Sequence, residues 1–247
     1  VTSLRVALAL ALLSVGFFAL YEAVEAPRSD AFAPVVSRGA GHAVALTFDD
    51  GPTAGITDPL LGVLERERVP ATFFVVGRAA RREPGLLRRM RADGDEIENH
   101  SDTHTHLNAL FTRAALDAQI GRADDAVYAA TGRHTRFLRP PFGARDAAVI
   151  DAADRHRMRV VTWTAMLGDT PLRARPRAWH VDALLRQVGD GAIVVLHDGD
   201  QGRGDDGERA REAELAPDLI AALRARGYRF VRLDALLAGG PERGAAR

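Results

Sequence analysis

An α/β fold with a mostly parallel sheet is predicted by three features of this 247-residue chain. Short apolar runs alternate with amphipathic ones from His42 onward, turn residues separate them, and chemically reactive side chains recur where the apolar runs end. The strand candidates, about seven, are Ala43 to Phe48, Ala71 to Val76, Glu96 to Asn99, Phe137 to Arg139, Arg159 to Trp163, Ala192 to Leu196 and Arg229 to Val231. Helical patterns cover Leu60 to Glu67, Pro84 to Asp93, Thr112 to Ala130, Ala147 to Arg157, His180 to Val188 and Glu212 to Arg226. Thr112 can accept from the free N–H groups of the helix it opens, and Gly132 can adopt the left-handed conformation that ends it.

The polar residues follow the strands in order. Asp49 and Asp50 come after the first, His100 and His104 after the third, Arg139 ends the fourth, Asp169 follows the fifth and His197 ends the sixth. Parallel strands of a closed or nearly closed barrel gather such ends on one face, where barrel enzymes place their chemistry. An open doubly wound sheet gathers them too, but usually carries a glycine-rich phosphate loop after its first strand; here that position reads Asp49-Asp50-Gly51-Pro52.

Composition removes several classes of function. Lys+Arg and Asp+Glu both total 33, so the formal charge of +0 gives no electrostatic reason to expect nucleic acid as a partner. Cysteine is absent, which excludes disulfides, thiol nucleophiles, iron–sulfur clusters and cysteine-based zinc sites. All 33 basic residues are arginines, so there is no lysine for a phosphate loop, a Schiff base or a kinase site. Any metal must be held by histidine and carboxylate.

Residues 1–22 differ from the rest. Between Arg5 and Glu22 lie sixteen uncharged, mostly apolar residues, about 24 Å of helix at 1.5 Å per residue, which fits a signal peptide or a short membrane anchor. The small-residue sites that could be cleaved, Ala26 and Ala31-x-Ala33, are each followed by proline, so an uncleaved anchor with its amino terminus inside and the rest outside is expected. Residues 23–40 read as a linker, 41–238 as the main domain and 239–247 as a disordered tail. A monomer, extracytoplasmic and held at the cell envelope or secreted, is expected.

Two adjacent carboxylates in one pocket repel each other unless a cation neutralises them. His100 and His104, four apart, could face one way on a helical turn, and two imidazoles with a carboxylate make the three protein ligands of an open catalytic zinc site. Bound Zn²⁺ lowers the pKa of its water from 15.7 toward about 7 and polarises a carbonyl.

In order and spacing, Leu46-Thr47-Phe48-Asp49-Asp50-Gly51-Pro52, Asn99-His100-Ser101-Asp102-Thr103-His104, Arg139-Pro140-Pro141-Phe142-Gly143 and His197-Asp198 resemble the motifs of the polysaccharide deacetylase family (NodB-homology domain, carbohydrate esterase family 4). The closing Gly227 to Leu233 is similar to that family's last strand, and the resemblance spans about Ala40 to Leu237. It implies a distorted (β/α) barrel and a metal-dependent hydrolase removing N-acetyl groups from an N-acetylglucosamine-type polysaccharide such as peptidoglycan or chitin-like oligomers. It further implies that Asp50, His100 and His104 bind the metal, most simply Zn²⁺, with Asp49 as general base and Arg139 orienting it. His197 would then be the general acid and Asp169 the carboxylate that partners it. The alternatives are an O-deacetylase and a non-catalytic carbohydrate-binding relative. Met166 and Thr170 depart from the family's Asp-x-x-Asp-Trp signature, Met166 replacing its first acid and Thr170 its tryptophan. His106 reads as backing the ligands or lying on the surface rather than as a fourth ligand, and His42, His134, His156 and His180 as structural or exposed.

Overall fold

Eight short parallel strands and nine α-helices build the chain in a computed structural model that describes residues 2–110, 112–168, 171–201 and 208–239. The elements are α1 (Thr2–Val24), β1 (Ala43–Asp49), α2 (Thr57–Glu67), β2 (Ala71–Val75), α3 (Gly77–Arg82), α4 (Pro84–Asp93), β3 (Glu96–Asn99) and α5 (Arg113–Thr131). They continue with β4 (Phe137–Leu138), α6 (Ala147–Arg155), β5 (Arg159–Val160), β6 (Ala165–Met166), α7 (Arg177–Leu185), β7 (Ala192–His197), α8 (Ala216–Ala225), β8 (Arg229–Phe230) and α9 (Leu233–Ala238). Thr112 caps α5 by accepting from the Ala115 N–H at 3.2 Å, and Gly132 ends it at φ 69°, both as the sequence predicts.

The strands run in the order β5-β4-β3-β2-β1-β7-β6, and β8 joins β1 beside Ala43 and Val44. The curled parallel sheet and its surrounding helices are the distorted barrel expected, with one strand more. The fifth predicted strand, Arg159 to Trp163, is shorter than expected: β5 covers only Arg159–Val160 and pairs β4, while a strand the sequence did not predict, β6, follows at Ala165–Met166 and pairs β7, with no ladder between β5 and β6 among the described residues.

Residues of the expected linker fill that seam. The Val36 N–H donates to the Val160 carbonyl at 3.1 Å, and the Thr162 N–H donates to the Val36 carbonyl at 2.9 Å. Thr162 and Thr164 hydroxyls bind the carbonyls of Pro27 and Ser37, at 2.6 and 2.7 Å. Val35 and Val36 are buried, and the buried Arg145 guanidinium reaches the carbonyls of Ala26 and Ser29, both at 2.7 Å. Residues 24–38 are thus a strap across the barrel rather than a free linker, because the seam offers unpaired backbone groups that must find partners. Among the described residues no helix is long and apolar enough to cross a membrane. Of the expected tail, residues 240–247 lie outside the described residues.

Alternation along the strands separates core from site. Val44, Leu46 and Phe48 of β1 point outward and pack with Leu60, Leu64, Leu87 and Leu223 of the helical layer. Ala43 and Ala45 point into the barrel, where Phe74, Phe137, Ile193 and Leu233 fill it. Thr47 and Asp49 continue that inner row, so the same period of two that buries the aliphatic face delivers a carboxylate to the barrel mouth.

Candidate active site

Asp49 and His197 stand side by side at the mouth, paired in register as the last residues of β1 and β7. Both are buried. Arg139, directly after β4 and fully buried, donates Nη1–H to Asp49 Oδ1 at 2.6 Å and to Thr47 Oγ1 at 2.9 Å. Its Nη2 donates to the Thr162 carbonyl at 3.1 Å, and the guanidinium lies 4.0 Å from the centre of the Phe74 ring. Burial pulls the guanidinium below its ordinary range, and the adjacent Asp49 carboxylate opposes that. Asp49 Oδ1 is thereby held in place.

Asp50, His100 and His104 converge next to this pair. Their candidate ligand atoms lie within 4.8 Å of one another, and all three residues are buried. The two histidines are not on a helical turn as their spacing suggests. They lie in the loop after β3, in which Ser101 and His104 take positive φ values of 66° and 54°. The turn closes because Asn99 Oδ1 accepts from the Ser101 N–H at 2.9 Å and Ser101 Oγ accepts from the His104 N–H at 3.1 Å. Local side-chain bonds of this kind compete with helix, and here they win. The start of α3 holds the loop from outside, the Gly77 and Arg78 N–H groups each donating to its carbonyls at 3.0 Å. Gly199 lets the chain after β7 cross over Asp50: a Cβ there would sit 2.2 Å from the Asp50 carbonyl.

The donor set fits a divalent cation. His100 commits Nδ1–H to the Arg139 carbonyl at 2.7 Å, so Nε2, 3.4 Å from Asp50 Oδ1, keeps a lone pair that a cation between them can take. His104 Nε2 lies 3.0 Å from the same oxygen, while Asp50 Oδ1 and His104 Nδ1 are buried without hydrogen-bond partners. Burial alone would raise the Asp50 carboxyl, but the two imidazoles and the nearby charge of His197 outweigh it and hold the group well below the usual range. Burial lowers His104 and favours the neutral imidazole, the form that binds metals. Asp198, fully buried beside Asp50 and Asp49, is pushed up to about 7 by its burial and by those two charges, despite the bond it accepts from Thr57 Oγ1 at 2.7 Å.

The histidine at the mouth has a partner that sequence reasoning missed. His197 Nδ1 lies 2.8 Å from Glu212 Oε2, and burial, which would lower the imidazole, is overcome by that bond and by the charges of Glu212, Asp50 and Asp49. Asp169, expected as the partner, and Thr170 lie outside the described residues. Glu212 carried no readable signal because it sits alone among the arginines and acids that follow the loop after β7.

Phe142, φ 62° and 47% exposed, borders the ligands. Its ring stacks on His106 at 4.0 Å and 9°, and meets His104 edge-on at 4.7 Å. His106 is thus a support for an exposed ring. Trp163 is half-buried against Gly143. The remaining histidines serve structure or surface: His42, His134 and His156 pair with Asp190, Asp124 and Asp117, and His180 is buried.

Comparison with known proteins agrees with this geometry. Residues 37–161 match the family model described as polysaccharide deacetylase. The chain is 35% identical over 214 residues to a chitooligosaccharide deacetylase of Sinorhizobium fredii, covering 82% of this chain and 91% of that protein. It is 33% identical over 193 residues to the peptidoglycan-N-acetylglucosamine deacetylase PgdA of Listeria monocytogenes, 78% of this chain but only 38% of the longer relative. Among solved structures, the Bc1960 peptidoglycan N-acetylglucosamine deacetylase superimposes with a TM-score of 0.74 at 24% identity, covering 85% of this chain and 95% of that one, which shows the shared fold.

Proposed function

Because this chain belongs to the polysaccharide deacetylase family, we propose that it hydrolyses the N-acetyl groups of a β-linked N-acetylglucosamine polymer outside the cytoplasm, with α1 as its export segment. One observation carries the reading: a buried Asp50–His100–His104 set lies against an aspartate and a histidine that end neighbouring strands at the same level. The three ligands would hold a divalent cation, most simply Zn²⁺ given two imidazoles and one carboxylate. When bound, it supplies Lewis acidity toward the acyl carbonyl and toward water.

The side chains divide the proton transfers. Asp49, with Oδ1 fixed by Arg139, takes a proton from the attacking water as its oxygen bonds to the acetyl carbon. His197, beside Asp49 at the end of β7, donates a proton to the nitrogen as the C–N bond breaks, so acetate and a free amine leave. An amide needs that donation more than an ester does, since an unprotonated amine departs poorly. Phe142, braced by His106, offers a sugar-sized apolar face beside the reacting group.

Acetate release tests the reading. The purified chain, loaded with Zn²⁺, is expected to release acetate from chitooligosaccharides or peptidoglycan and to leave O-acetylated xylan largely untouched. Release from the xylan alone would establish an O-deacetylase, and release from neither would establish a binding relative. Phe142→Ala is expected to raise KM roughly 2- to 10-fold with little change in kcat. Membrane fractionation with N-terminal sequencing of the native protein tests α1: retention of an intact amino-terminal segment in the membrane fraction is expected, and a soluble form starting beyond Leu20 would show cleavage instead.

A further inference from the structure

We infer that Glu212 is the positioning residue for His197, a deepening that rests on the de-N-acetylase reading: its carboxylate fixes Nδ1 and so dedicates Nε2 to the departing nitrogen. The geometry is specific. Glu212 Oε2 is 2.8 Å from His197 Nδ1, and both side chains are buried, at 6% and 7% of their free exposure. An imidazole held through Nδ1–H by a carboxylate has one tautomer when neutral and one orientation when protonated, and the carboxylate stabilises the cation that must form before a proton can be given. The direction in which His197 is shifted, upward against its own burial, agrees.

Glu212 is anchored for this task. It lies in the 3₁₀ stretch Glu208–Leu215 between the loop after β7 and α8, flanked by Ala213, 6% exposed, and Leu215, 1% exposed, which pack in the main core. The carboxylate therefore comes from a packed element while the acid comes from a strand end, and neither needs to be ordered when substrate arrives. No third side chain among the described residues binds Nδ1.

The test compares leaving groups. On an N-acetylglucosamine oligomer, Glu212→Gln is expected to lower kcat by at least about 10-fold, a part of the about 10²- to 10⁴-fold that a positioned general acid contributes, with metal content and melting temperature close to wild type. On an aryl acetate, whose phenolate departs without a proton, the loss is expected to be no more than about 2-fold. Glu212→Asp should recover part of the amide activity, and Glu212→Gln should add nothing in a His197→Ala background, because it acts only through that ring. In ¹⁵N spectra the His197 ring nitrogens should shift between wild type and Glu212→Gln. Equal losses on both substrates, a full additional loss in the His197→Ala background, or the leaving-group-selective loss appearing in Asp169→Asn in place of Glu212→Gln would overturn the assignment. His197→Ala with amide turnover intact would instead overturn the acid reading itself, a different result from any of these.

Discussion

The two ends of the barrel both bury charge, and they do so in opposite ways. At the mouth, Asp49, Asp50, His100, His104, Arg139 and His197 converge, and Asp50 Oδ1 and His104 Nδ1 are left with no donor or acceptor. At the far end of the barrel, Glu96 and Glu98 on the same inner rows and Asp95 just before β3 are also buried, yet each is answered by the fold. Asp95 accepts from the Ala71 N–H at 2.9 Å, and Glu98 from the Arg136 and Phe137 N–H groups at 2.6 and 2.8 Å. Glu96 binds Thr72 Oγ1, the Asp234 N–H and Arg136 Nη2. A saturated cluster has nothing left to offer a ligand and works as mortar. An unsaturated one carries free energy that a cation or a substrate can release.

Variants at the mouth should therefore change rate and variants at the base should change stability. The largest effect expected is from the metal: chelation or His104→Ala should abolish turnover, with elemental analysis falling from one divalent ion per chain to none. Next is Asp49→Asn, which should keep the metal yet lower kcat about 10²- to 10⁴-fold, because an amide cannot accept the proton. Its melt shifts as well, since Arg139 loses its counter-charge, so single-turnover rate is the measurement that counts.

At the base, Glu98→Ala should strip one buried and one part-buried N–H group of their acceptor and lower unfolding free energy by about 2–4 kcal/mol in a urea titration, while kcat per folded molecule stays at the wild-type value. The smallest effect belongs to Asp95, which burial pushes up to about 6. With its folded pKa above the unfolded one, the native state holds the extra proton, so this group's contribution is complete below about pH 4 and is lost as pH rises through 6. Asp95→Asn should flatten that descent, by up to about 3 kcal/mol. A change of kcat on either base substitution would erase the distinction between the two ends.

What the sequence revealed follows the range over which each feature is encoded. Asp49 and Asp50 were legible because an alternating strand and a Gly51-Pro52 turn lie beside them in the chain. The spacing of His100 and His104 was legible, but their conformation was not, because it depends on Asn99 and Ser101 bonding the backbone in place of a helix. β6 was hidden: the apolar run reads as one strand ending at Trp163, and only the strap from Val36 explains why the Thr162 N–H bonds elsewhere and a separate short strand follows at Ala165. α3 and α9, six residues each, are too short to show a helical period. Glu212 escaped because its meaning exists only where residues 15 positions apart meet.

The strap also imposes a timetable on the molecule. Pro27 meets Thr162 across 135 positions of chain, and Ser37 meets Thr164 across 127, whereas β1 finds β2 after a single short helix. The segment synthesised before the barrel is thus seated only when the strands of its second half exist, and seating it costs the entropy of closing a long loop. Until that moment the seam between β5 and β6 stands open, two unpaired edges that could capture a neighbouring chain. The residues that look most like packaging at the front of this protein are the latch by which the finished barrel is shut.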